Sequence, residues 1–78
     1  MEYYVYAIKS IERNYIYVGM TADIERRLKE HNNGYNKTTK PYLPFRLIFQ
    51  EKCETREKAR IREKYWKSGT GKRQLKKL

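Results

Sequence analysis

Glu63 stands where a globular helix should bury something apolar. Residues 55–68 read as a helix, and at 100° per residue Ala59, Glu63 and Trp66 fall in one narrow stripe. The stripe holds the chain's only tryptophan, so it is expected to face the core. A glutamate in its middle is either paired with a buried cation or used for chemistry. Beside it Arg56, Arg60, Lys64 and Lys67 follow at steps of four, four and three, which makes a continuous basic ridge. Like charges at that spacing repel by roughly a few tenths of a kcal/mol per pair, and a helix tolerates this more readily when an anion runs along it. The plainer reading is a solvated face with glutamates nearby. An earlier helix places Arg27 and His31 one turn apart. Arg27 suits bidentate contact with a phosphate, and His31 suits proton transfer or a hydrogen bond. A single histidine beside an apolar stripe is more often a satisfied structural residue, so His31 alone decides nothing.

The charge balance narrows the partner. The chain has 78 residues and a formal net charge of +10. Residues 1–51 carry 8 basic and 6 acidic side chains, whereas residues 52–78 carry 11 basic and 3 acidic. A basic half on a small domain points to a phosphate-backbone partner, hence to nucleic acid. Aromatic residues at 14% argue against disorder, and the length allows one domain over 1–78 with a small core. No stretch approaches the roughly 20 apolar residues that span a bilayer, so no membrane partner is expected. With Cys53 as the only cysteine there is no internal disulfide, and no signal peptide is visible. A reducing, cytoplasmic compartment is expected.

Two tempting sites are rejected. Gly69-Thr70-Gly71-Lys72 lacks the spacing of a phosphate loop and follows a helix where a strand is required. Cys53 lies just before a helix N-terminus, which would lower its pKa, but its only histidine partner is His31 on another element. No His/Cys cluster has zinc spacing.

The elements that must position these groups follow from local pattern. Tyr3–Ile8 and Tyr15–Met20 are short runs rich in Tyr, Val and Ile around a polar stretch, which predicts a β-hairpin. Alternation puts Tyr4, Tyr6 and Ile8 on one face and Tyr3, Val5 and Ala7 on the other. In the second strand Tyr15, Tyr17 and Gly19 oppose Ile16, Val18 and Met20. The aliphatic face is expected to be the core side, with the tyrosine face toward something wetter. A helix is expected from Thr21, as N-cap, to His31, with Ile24 and Leu28 as its apolar stripe. Residues 35–44 read as a loop, Phe45–Glu51 as a third strand, and Thr55 as the cap of the second helix. Gly69 and Gly71 break that helix, and a basic tail with room for a short helix follows. The expected class is α+β: a small three-stranded antiparallel sheet flanked by helices, in the order β-β-α-β-α.

Val5-Tyr6 and Tyr17-Val18-Gly19, about ten residues apart on the hairpin, resemble the signature of the GIY-YIG nucleases. The spacing to Arg27 and the run Ala59-x-x-x-Glu63 continue the pattern over nearly the whole chain. The likeness is to small standalone members of that superfamily and to the N-terminal domain of the excision-repair nuclease. It implies a metal-dependent endonuclease that hydrolyses DNA phosphodiester bonds with low sequence specificity, with a role in repair among those it suggests. By the same resemblance Tyr6 is the general base, Arg27 clamps the phosphate, and Tyr17 and His31 orient water or phosphate. Glu63 is then the ligand of one Mg²⁺ or Mn²⁺, and no small-molecule cofactor is implied. Arg56, Arg60, Lys64 and Lys67 are the expected nucleic-acid contacts. Three positions depart from the family pattern: Tyr4 replaces the first signature glycine, Met20 replaces a frequent lysine, and no asparagine lies near the C-terminus. They support the alternative of a nucleic-acid-binding module on a nuclease scaffold, with weak or no cleavage. A basic structural protein without a site is the third reading.

Overall fold

In the computed structural model, which describes residues 2–78, the hairpin forms as β1 (Tyr3–Ser10) and β2 (Ile16–Thr21). Helix α1 (Ile24–Asn32) follows, and after a single 3-10 turn at Lys40–Tyr42 the chain enters β3 (Phe45–Cys53). Helices α2 (Arg56–Lys67) and α3 (Gly69–Leu75) complete it. The sheet has the order β2-β1-β3, with both pairings antiparallel. The α+β class holds, and the basic tail adds a third helix to the expected order.

The expected wet face is not wet. Residues Val5, Tyr6, Ala7 and Ile8 of the central strand are all buried, because the sheet has a core on each side. On one side Val5, Ala7, Ile16 and Val18 pack with Ala59 and Trp66 of α2 and Leu75 of α3. On the other, Tyr6, Ile8 and Phe45 pack with Ile24 and Leu28 of α1 and with Tyr42 and Leu43. The apolar stripe of α1 needs an apolar surface to cover, and the tyrosine rings supply it. Between the two layers β3 carries a bulge. Ala7 pairs with Phe49 but Ile8 pairs with Leu47, so Ile48 is the extra residue.

The start of α1 shifts from the expected one. Thr21 still pairs with Tyr4 in the ladder, so it ends β2 and does not cap the helix. Asp23 is the N-cap of α1, its side chain accepting from the Arg26 amide at 3.1 Å. Thr55 caps α2 as expected. Ser68 closes α2 and caps α3, accepting from the Gly71 amide at 3.2 Å. At Gly71 a Cβ would collide with the Tyr65 carbonyl oxygen and sit 2.6 Å from the Trp66 Cα. Only a glycine lets α3 fold back so closely on α2. Two polar clasps complete the frame. Glu51 on β3 accepts from Trp66 Nε1 at 2.9 Å and Arg62 Nε at 3.0 Å, and Lys72 Nζ donates to the Ile16 carbonyl at 2.8 Å.

Candidate active site

The hairpin register places Tyr6 directly opposite Gly19. A Cβ at residue 19 would lie 2.7 Å from the Tyr6 hydroxyl oxygen and 3.1 Å from Tyr17 Cε2. The glycine is therefore the space across which the Tyr6 phenol lies, and any side chain there would displace it. Tyr17, two residues back on the same face, sets its ring centroid 6.4 Å from that of Tyr6.

Helix α1 brings the partners. It buries His31 completely, with Nε2 2.9 Å from the Tyr6 hydroxyl. The other ring nitrogen, Nδ1, is 2.8 Å from the hydroxyl of Thr39, which is also fully buried. Tyr17 from β2 and Phe45 from β3 wall the imidazole at centroid distances of 5.0 and 6.1 Å. One turn earlier Arg27 donates to Glu30 at 2.8 Å, and its charge acts on the Tyr6 oxygen.

Burial dominates the electrostatics. It pushes the Tyr6 hydroxyl up to about 12; the Arg27 guanidinium pulls the other way, while Tyr17 and Glu63 add to the rise. His31 is lowered by burial and by the charge of Arg27, with Glu30 opposing, so the imidazole is neutral at pH 7. For Arg27, burial works against the charge, yet Glu30 and the Tyr6 oxygen hold the guanidinium protonated above its ordinary range. Cys53 is corrected here: it closes β3, is buried, and has its thiol raised first by that burial and then by Glu51. A helix N-terminus does not activate it.

Glu63 sits at the rim of the α2 stripe. Ala59 and Trp66 are buried as expected, whereas Glu63 keeps 21% of its side chain exposed and faces Lys67 at 3.4 Å. Its charge nonetheless reaches Tyr6. No group of three or more His, Cys, Asp or Glu side chains gathers as a metal site among the described residues. The donor chemistry still fits Mg²⁺ or Mn²⁺, because such ions are commonly held by one or two carboxylates together with substrate phosphate and water. The chain would supply one partly exposed carboxylate and the substrate the rest.

The basic ridge is exposed along its length. Arg56, Arg60, Lys64 and Lys67 line a shallow groove that also includes Glu63 and the exposed Ile61. Lys67 is the ridge member that pairs with a carboxylate, and Arg62 turns away to the Glu51 clasp. No described helix is long and apolar enough to cross a membrane.

Thr39 touches His31 in the candidate site, and sequence reasoning missed it. Its segment carries a turn signal: Asn36 Oδ1 accepts from the amides of Thr38 at 2.9 Å and Thr39 at 3.3 Å, an Asx turn. Asn32 was missed as well. Its amide group donates to the Phe45 carbonyl at 3.2 Å and accepts from the Phe45 amide at 2.6 Å, which fixes the end of α1 against β3.

Residues 2–77 match the family model described as the GIY-YIG catalytic domain. A UPF0213 protein of Staphylococcus saprophyticus is 36% identical over 76 residues, covering 96% of this chain and 92% of its own. The UPF0213 protein YazA of Bacillus subtilis is 36% identical over 72 residues, covering 91% of this chain and 72% of its own. The solution NMR structure of a UPF0213 protein from Bacillus halodurans is 34% identical and aligns with a TM-score of 0.58. That alignment covers 100% of this chain and 85% of the other.

Proposed function

From the premise that this chain belongs to the GIY-YIG catalytic-domain family, we propose that it is a divalent-metal-dependent endonuclease that hydrolyses DNA phosphodiester bonds with little sequence specificity. The observation that carries the reading is the meeting of Tyr6, Tyr17, Arg27 and His31 from three elements around one hydroxyl. Hydrolysis needs an activated water, a neutralised phosphate and a stabilised leaving oxygen. Tyr6 accepts the proton of the attacking water. Arg27 neutralises a non-bridging oxygen, most strongly as charge builds in the transition state. Tyr17 and His31 fix the orientation of the phenol and of the water. Glu63 would hold the divalent ion, which when bound supplies Lewis acidity at the leaving oxygen. Arg56, Arg60, Lys64 and Lys67 grip the backbone through phosphates, so affinity falls as salt rises and base sequence matters little.

One observation favours a second reading, a nucleic-acid-binding module with weak or no cleavage. Tyr6 is 2% exposed and its hydroxyl is raised to about 12. A group with that pKa is ionised in about one molecule in 10⁵ at pH 7.

Nicking of supercoiled plasmid and of a branched oligonucleotide in Mg²⁺ or Mn²⁺, beside EDTA, separates the two. Metal-dependent nicking by the wild type, absent in Glu63→Gln and in Arg27→Ala, is the expected result. DNA binding without nicking, or nicking that survives both substitutions, leaves the binding module.

A further inference from the structure

Counting protons through the buried chain Tyr6–His31–Thr39 fixes the direction of every bond in it. Tyr6 has one hydroxyl proton, and Arg27, whose charge acts on its oxygen, has no acceptor to offer it. Among the described residues the acceptor within reach of that proton is His31 Nε2, at 2.9 Å. If Nε2 carried the imidazole proton instead, the buried Tyr6 proton would have no acceptor, which costs about 1–3 kcal/mol. Nδ1 must then hold the proton and donate to the Thr39 oxygen at 2.8 Å. The Thr39 hydroxyl in turn has its own acceptor, the Asn36 carbonyl at 3.4 Å, whose place is fixed by the Asx turn. No polar side-chain atom buried among the described residues lacks a partner, as this assignment requires.

We propose that Thr39 is a positioning residue: it holds His31 as the Nδ1–H tautomer, so that Nε2 is free to take the Tyr6 proton and Tyr6 works as a relay with His31 as the terminal base. The inference rests on the nuclease reading for its catalytic half and on hydrogen-bond geometry alone for its tautomer half. In the step, one O–H bond of water breaks and its proton goes to the Tyr6 oxygen. The phenolic proton passes to His31 Nε2, which becomes imidazolium. The hydroxide forms the new P–O bond, and the leaving P–O bond breaks with its electron pair on the leaving oxygen, which takes a proton from solvent. On reset His31 returns its proton through Tyr6 to water. No free phenolate is needed, which removes the difficulty posed by so deeply buried a phenol.

The chain has one histidine, so its imidazole nitrogens give an unambiguous pair of NMR signals. The test is the ¹⁵N chemical shift of Nδ1 and Nε2 in the full chain at about pH 8, where a buried imidazole is neutral. Wild type is expected to show a protonated Nδ1 and an unprotonated Nε2. Tyr6→Phe should keep that tautomer, because the Thr39 hydroxyl gives its own proton to the Asn36 carbonyl and is left to accept from Nδ1. Thr39→Val leaves one buried proton without a partner whichever nitrogen is protonated, so it should lose the single tautomer and show a mixture, and Thr39→Ser should restore it. In plasmid nicking, Thr39→Val should lower kcat at least tenfold with KM unchanged, and Thr39→Ser should recover most of it. An Nε2–H wild type, a switch of tautomer in Tyr6→Phe, or unchanged shifts in Thr39→Val overturns the proposal. If Thr39→Val does not fold, the wild-type and Tyr6→Phe spectra still decide. The wild-type tautomer as assigned with no nicking at all supports the role of Thr39 and sinks only the nuclease reading.

Discussion

Where α2 and α3 cover the sheet, β1 contributes Val5 and Ala7 to a cluster that is apolar apart from the Glu51 clasp at its edge. Where α1 covers it, the same strand contributes Tyr6 and Ile8, and the core is threaded by a line of hydrogen bonds through His31 to Thr39. The two sides therefore respond differently to loss. The apolar side gains from contact and area, so truncation there is felt as a cavity. The tyrosine side gains from direction, so removing one partner leaves another buried polar group unsatisfied, at a cost nearer to 1–3 kcal/mol. A central strand with period two allows both, because Val5 and Ala7 face the apolar cluster while Tyr6 and Ile8 face the candidate site.

The largest expected effect lies on the apolar side. Trp66→Ala removes a buried indole and its bond to Glu51, and should destabilise by about 3–5 kcal/mol. A domain of this size has roughly 4–12 kcal/mol in total, so the variant should lose about a quarter of its stability or more. Urea unfolding followed by circular dichroism measures it. A loss below about 1 kcal/mol would erase the distinction between the faces.

Tyr6→Phe is its counterpart. It should cost only about 1 kcal/mol in the same unfolding experiment, while plasmid nicking falls by at least about 10²-fold. If instead this variant unfolds as readily as Trp66→Ala, the tyrosine face is structural and the site reading fails.

The pH dependence of stability should probe the tyrosine face next, because Tyr6 and His31, both shifted by burial, are hydrogen-bonded to each other there. The Tyr6 hydroxyl is raised to about 12 in the fold by burial, so the folded state keeps a proton that the unfolded chain gives up near pH 10. Its contribution is complete below about pH 10 and is lost as pH rises through about 12. His31 is lowered by burial, so the unfolded chain binds a proton that the folded state refuses. That contribution is present above the ordinary histidine pKa of about 6.5 and is lost as pH falls through the lower folded value. Tyr6→Phe should flatten the alkaline limb and His31→Gln the acid limb. An alkaline limb that survives in Tyr6→Phe would place the responsible group elsewhere.

The same contrast explains how much could be read in advance. On the α2 side the pattern was self-contained: Thr55 announces the helix, and Ala59 and Trp66 recur at its period. The candidate site residues on the hairpin and on α1 were named from their spacing and the family likeness, and Tyr6, Tyr17 and His31 do come together. Their surroundings were not legible, because a sheet with two covered faces is indistinguishable in strand alternation from one with a single wet face whenever tyrosines fill the second. Only the narrow stripe of Ile24 and Leu28 hinted at what they cover. Thr39 was invisible for a different reason. It lies in an aperiodic segment, and its partner His31 is eight residues away on a helix, a pairing no periodicity encodes. Thr21 was misassigned as a cap because a threonine before a helix serves a ladder as well as it serves a cap, and the ladder took it here.

The smallest expected effect concerns the ridge, and it tests whether the apolar side also carries the nucleic acid. Arg60 is exposed and makes no ion pair among the described residues, so Arg60→Ala should leave urea unfolding nearly unchanged. If a phosphate lies on it, the slope of log affinity against log salt for duplex DNA should become shallower by about 0.9. Arg62 is the internal control, since it is spent on Glu51 and should alter stability more than the salt slope. Lys67 faces Glu63, so Lys67→Ala should shallow the slope and also change the metal requirement for nicking. Unchanged slopes in both Arg60→Ala and Lys67→Ala would move the phosphate path off α2. The other basic concavity gathers Lys9, Arg13 and Arg46 at the hairpin end, where Lys9 and Arg46 pair directly across β1 and β3. Two cations opposed on neighbouring strands repel unless an anion lies between them, so the same salt titration on Arg46→Ala would then show where the backbone runs.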